Sequence, residues 1–218
     1  MAGKWVEGAD LRPGIKFVMS KFTLVLSSLF LLSTTVPALA AVSDPAAIPV
    51  QTLTDALLKS MRAGSAESMT ERYRSLEPVI ELTFALPLVT RLAVGPEWTN
   101  FSADQQKAVI AAFTRFIVAN YAHNFRDFDG EKFEIEDNVL TRGQDKIVRT
   151  RVIPAHDVPV SLLYRMHEVE GNWKILDVYS NGVSELALRR SDFAAAIASG
   201  GAPTLITHLN KASDGLMK

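Results

Sequence analysis

The chain contains no cysteine, so neither a disulfide framework nor thiolate chemistry is open to it. Nor does it have an excess of positive charge. The formal net charge is −1, which speaks against nucleic acid as a partner, because a polyanion calls for a basic stripe. A Gly-rich phosphate loop, a nucleophile elbow and an H-E-x-x-H motif are all missing, and with them the commonest signatures of phosphoryl transfer, acyl transfer and zinc hydrolysis. His123, His156, His167 and His208 are scattered without ligand spacing, so no metal is expected. Ser161 and Ser184 have no triad partner nearby in the sequence. Long apolar runs are equally scarce, and the one present falls short of the roughly 20 residues of a membrane span.

That run is FTLVLSSLFLLSTTV, residues 22–36, followed by Pro37 and the small-x-small site Ala38-Leu39-Ala40. The pattern is that of a secretory signal peptide with its cut between Ala40 and Ala41, and it predicts export to a periplasm. Met19-Ser20-Lys21 forms a compact basic start, whereas residues 1–18 carry Glu7 and Asp10. Residues 1–40 therefore read as a signal peptide with an N-terminal extension, translation being expected from Met19; an uncleaved anchor is the rival. Removing Lys4, Arg12, Lys16, Lys21 and the two acids leaves 19 basic and 22 acidic side chains, a net charge of −3. Residues 41–218 suit a single domain with one good core.

Helical periodicity comes first. Pro49 suits a first turn, and Val50, Leu53, Leu57, Leu58 and Met61 repeat at helical spacing as far as Gly64. Ser68 with Glu71 forms a capping-box pattern opening a second helical region, which Pro78 and Pro87 are expected to break or kink and Gly95-Pro96 to stop. Ser102 with Gln105 opens a third, whose stripe of Val109, Ile110, Phe113, Phe116, Ile117 and Tyr121 reaches about Phe125. After Asp129-Gly130 the period changes to two, through Phe133 and Ile135, then Val148, Thr150 and Val152, then Val160, Leu162, Tyr164 and Met166. Glu170-Gly171-Asn172 predicts a hairpin turn and residues 173–180 a return strand. A helix over 184–199, a Gly200-Gly201 stop and a last helix begun by Pro203 close the chain. The order predicts an α+β fold, with helices packed on one face of a curved antiparallel sheet.

Two functional readings follow from these residues. Asp177, Tyr179 and Tyr164 in an apolar pocket would suit an enzyme of the ketosteroid-isomerase type, with an Asp base and a phenol donor. Alternatively, Asp177 pins the strand-to-helix corner at Asn181-Gly182, as a buried carboxylate needs partners. The second reading is preferred. Arg189-Arg190 would grip an anionic head group or else form a solvated helix face. The aromatic side chains are core unless the space they enclose is hollow.

The segments "RLAVGPEW", "SADQQKAVIAAFTRFIVANYAHNF", "GNWKILDVYSNGVSELALRRSDF" and "GGAPTLITHLNK" resemble the periplasmic lipid-binding component of the Mla ABC transport system, also called the toluene-tolerance auxiliary family. The resemblance runs from about Pro49 to Lys211, and the wording of "GVSELALRRSDF" is similar to a branch associated with hopanoid biosynthesis. It implies no catalysis and no cofactor. It implies a cavity that takes the acyl chains of a phospholipid, or a hopanoid lipid, for shuttling between an outer-membrane lipoprotein complex and an inner-membrane ABC transporter complex. Where many relatives carry an acid after the aromatic at Phe84, this chain has Ala85. The residues expected to line the cavity are Phe84, Leu88, Phe113, Phe116, Ile117, Tyr121, Val148, Val152, Leu162, Tyr164, Ile175 and Tyr179. Asp177, Gly182 and Ser184 are expected to form its structural rim.

Overall fold

A computed structural model describes residues 44–218. The expected signal peptide, its cut site and the start at Met19 lie outside the described residues. Helix α1 spans Ile48–Ala63 and ends on Gly64, whose φ of 52° suits a residue without Cβ. Helix α2, Met69–Thr83, opens on the full reciprocal box: Ser68 accepts from the Glu71 N–H and Glu71 accepts from the Ser68 N–H. The helix continues through Pro78, contrary to expectation. Pro78 lies on the exposed side while Leu76 and Ile80 are buried, so the carbonyl left without its helical donor is on the side open to water. The chain breaks instead at Phe84 and Ala85, where the Ala85 N–H donates to the Ile175 carbonyl at 2.9 Å. Helix α3, Leu86–Val94, carries Pro87 in its first turn, and α4, Ala103–Asn124, repeats the capping box with Ser102 and Gln105.

The strands are β1 Lys132–Ile135, β2 Leu140–Arg142, β3 Asp145–Ile153, β4 Val160–Val169, β5 Asn172–Ser180 and β6 Val183–Ser184. They pair antiparallel in the order β1-β3-β4-β5-β6, with β2 also against β3. Two-residue turns join β4 to β5 and β5 to β6. Glu170 and Gly171 (φ 51° and 77°) form the first, Asn181 and Gly182 (φ 50° and 84°) the second, the paired positive dihedrals that match strand twist. A shift of register interrupts the β4–β5 ladder: Arg165 faces Asp177, yet Met166 faces Ile175. The extra residue, Leu176, makes a bulge. Helix α5, Glu185–Leu216, is capped by Ser184 and changes direction at Gly200 and Gly201, where the dihedrals are not helical. The expected stop at Gly200-Gly201 is therefore where two helical stretches meet, the second carrying Pro203 in its first turn.

The fold is α+β, as expected, with two apolar cores. One joins α1, α2 and the end of α4 to the sheet through Leu53, Leu57, Ile80, Val118, Val148, Met166 and Ile175. The other joins α3, the middle of α4 and α5 through Val89, Val109, Phe113, Phe193, Leu205 and Leu209, and takes Leu176 from the bulge. Ile117 packs against both. What lies between the two cores is the functional question.

Candidate functional site

Between the cores is a cavity whose empty space, together with the open solvent it joins, is about 1090 Å³. Helix α4 supplies one wall through Phe113, Phe116, Ile117, Tyr121 and Phe125, side chains at helical spacing on one face. The break between α2 and α3 supplies Phe84, Leu86 and Val89, and the sheet supplies Leu162, Tyr164 and Val178. Ring packing keeps the wall rigid: Tyr121 stands edge-on to Phe84 at 5.7 Å and stacks on Phe125 at 5.6 Å between centroids. Burial pushes the Tyr121 phenol well above its ordinary pKa, with Tyr164 and Glu185 adding to the effect. Burial likewise raises Tyr164. Both phenols stay neutral at any physiological pH, so the cavity interior carries no phenolate charge.

Of the residues singled out in the sequence, the structure places Phe84, Phe113, Phe116, Ile117, Tyr121, Leu162 and Tyr164 around this space. It places the remaining candidates elsewhere. Leu88 packs against the α3–α5 core, Val148 and Ile175 are fully buried in the sheet core, and Val152 packs against that core. Tyr179 pairs with Leu163, whereas the cavity-facing Leu162 and Tyr164 pair with Ser180 and Val178. The bulge is the reason. Unbroken alternation puts residues 173, 175, 177 and 179 on one face; the inserted Leu176 hands that face to Val178 and turns Tyr179 away.

Asp177 sits at the cavity's edge, 5 % exposed, and both its carboxylate oxygens are occupied. One accepts from the Ser184 hydroxyl at 2.6 Å, the other from the Leu186 N–H at 3.0 Å. Ser184 in turn accepts from the Ala187 N–H at 3.0 Å. The carboxylate therefore ties β5 to the first turn of α5 and meets the helix dipole at its positive end. Gly182 provides the reversal between them.

The lining also holds polar groups that sequence periodicity did not single out: Asn120 and Asn124 on α4, Ser180 on β5, Glu185 on α5. The arginine pair divides. Arg190 lies against Gly95 at the end of α3, while Arg189 lines the cavity with its guanidinium carbon 5.1 Å from the Phe116 ring centroid. Among the described residues lining the cavity, Arg189 is the only cation.

A family model described as "MlaC protein" matches residues 51–211. The chain belongs to the MlaC family. A curated MlaC relative, the intermembrane phospholipid transport system binding protein of Haemophilus influenzae, is 27 % identical over 142 residues. That match takes in 63 % of this chain and 64 % of the relative, so the chain spans a little under two thirds of the relative's length. A phospholipid-binding protein from Ralstonia solanacearum, solved in complex with a phospholipid, has the same fold. It superposes with a TM-score of 0.70 at 20 % identity, covering 80 % of this chain and all of that one. The cavity described above is thus set in an MlaC-type α+β domain. Among the described residues, no helix is long and apolar enough to cross a membrane, and no cluster of metal-ligating side chains is found.

Proposed function

We propose that this protein is a periplasmic lipid carrier. It holds the acyl chains of a phospholipid in the cavity between its two cores and passes the lipid between an outer-membrane lipoprotein complex and an inner-membrane ABC transporter complex. The observation that carries this reading is a mostly apolar cavity between the two cores, in a chain of the MlaC family. Burying hydrocarbon stabilises by about 0.8 kcal/mol per CH₂ relative to water, so two long chains amount to tens of kcal/mol gross. The bilayer supplies the same stabilisation. A cavity about as apolar as the membrane therefore makes transfer nearly neutral and reversible, which a carrier needs and a tight receptor does not.

The isomerase reading has little left to stand on. Asp177 spends both oxygens on Ser184 and Leu186, and Tyr179 lies on the face opposite the cavity-facing Tyr164 and Val178. Tyr164 does line the cavity with Asp177, but a general base needs an oxygen free to take a proton, and both oxygens of Asp177 already accept hydrogen bonds.

The test is native against denaturing mass spectrometry of protein purified from a bacterial periplasm without detergent, with organic extraction in parallel. One phospholipid per chain is expected. A triterpenoid in its place would assign the protein to the hopanoid-associated branch. Folded protein that is empty as purified and stays empty after incubation with liposomes would overturn the carrier reading.

A further inference from the structure

Hydroxyls stand at the cavity without the partners that a buried hydroxyl needs. Tyr121 and Tyr164 both line the space. Tyr121 is held through its ring, against Phe84 and Phe125, and its hydroxyl makes no hydrogen bond to any described residue. Tyr164 is 1 % exposed; burial raises its phenol, and the neighbouring Thr150 hydroxyl offsets part of that rise. Thr150 is equally buried, yet its oxygen has no partner at ordinary hydrogen-bond geometry among the described residues. The register explains why the two are neighbours. Val148 faces Tyr164 and Thr150 faces Leu162 across the β3–β4 ladder, so Thr150 stands one step from Tyr164 on the face that carries the cavity wall.

The surroundings narrow what these hydroxyls can meet. Hydrocarbon would leave them unpaired, at the full cost of their lost hydration. An ionised phosphate would lie close to Glu185, whose charge reaches Tyr121. The lining's one cation, Arg189, is already committed to Asp192 at 3.1 Å and Glu185 at 3.4 Å. The chemistry that fits is a neutral acceptor joined directly to hydrocarbon. We infer that Tyr121 and Tyr164 donate to the acyl ester carbonyls of a diacyl lipid, so that the cavity distinguishes ester-linked from ether-linked chains; this rests on the carrier reading above. With the Tyr164 proton given to a carbonyl, the phenol oxygen is left to accept from Thr150. An ether-linked chain has no carbonyl to offer, and a site built to hydrogen-bond its ligand rejects the analogue that lacks the group.

The purified protein is exchanged against vesicles holding equal amounts of dipalmitoyl and di-O-hexadecyl phosphatidylethanolamine, which share headgroup and chain length. Native mass spectrometry reads the ratio of the two bound lipids. The expected preference for the ester is at least about threefold, the size of a single net hydrogen bond. Tyr121→Phe and Tyr164→Phe keep the rings and remove the donors, and each should move the ratio toward one. A wild-type ratio of one, as expected if the phenols hold only water, would overturn the inference while the carrier reading stands. So would an ester preference that neither variant shifts. Folded wild-type protein taking up neither lipid would overturn the carrier reading itself.

Discussion

Arg72 is 2 % exposed, and a charge so placed needs partners on every side. Its guanidinium donates to the Ser60 carbonyl and hydroxyl, to the Gly64 carbonyl at 2.7 Å, and to the Glu67 and Phe125 carbonyls at 3.4 and 3.5 Å. It joins the end of α1 to α2 and to the end of α4, satisfying carbonyls that helix termini leave without intrahelical donors. Arg72→Met is expected to destabilise the fold by about 3 kcal/mol, measured by chemical denaturation, because those carbonyls stay buried and lose their donor. A second residue sets a pH limit. Burial acts to raise the Asp145 pKa, but the hydrogen bonds from His167 and Arg165 together with their charges outweigh it, and the pKa falls below its ordinary 3.8. A lowered carboxylate pKa contributes stability that is fully present above the unfolded value and is lost as pH falls through the folded one. Asp145→Asn should therefore cost about 1 kcal/mol at pH 7. The gap between wild type and variant should close below about pH 4 in denaturation curves taken across pH.

At the scale of the element, two backbone irregularities shape the fold, and only one was legible in the chain. The Gly200-Gly201 break in α5 was legible because both glycines stand together before Pro203. Gly201 has φ 67° and ψ −154°, a region open essentially to glycine alone. Gly201→Ala should lower stability by about 1–3 kcal/mol, read as a fall in the denaturation midpoint. The bulge at Leu176 left no comparable mark, since Ile175, Leu176 and Val178 are all apolar and a one-residue shift between them preserves the look of a strand. Strands β2 and β6, of three and two residues, are too short to express a period. Asp177 joins the bulged strand to α5. Asp177→Asn should lose the charge-assisted part of that tie, costing about 1–2 kcal/mol and lowering lipid occupancy; unchanged stability and unchanged lipid would remove its structural role.

At the scale of the molecule, the cavity exists because two cores close separately and meet only through residues such as Ile117. Ile117→Trp is expected to fold and to lose at least about tenfold in bound lipid by native mass spectrometry, since overfilling a space between finished cores costs less than overfilling a packed one. The family, the α+β order and most helix limits were determined by the sequence by itself: capping boxes, glycine stops and the change of period from 3.6 to two are local, and local rules act on neighbours in the chain. The aromatic stripe of α4 was legible for the same reason. Whether that stripe met another surface or left a gap was decided only by tertiary structure. Apolar side chains look alike whether they touch protein or enclose space, so Val148 and Ile175 went to the core while Phe116 and Tyr121 went to the cavity. The same holds for charge. Arg189 and Arg190 are adjacent and chemically identical, yet helical rotation sets one over Phe116 in the cavity lining and the other against Gly95, a difference of direction that exists only once α5 is docked.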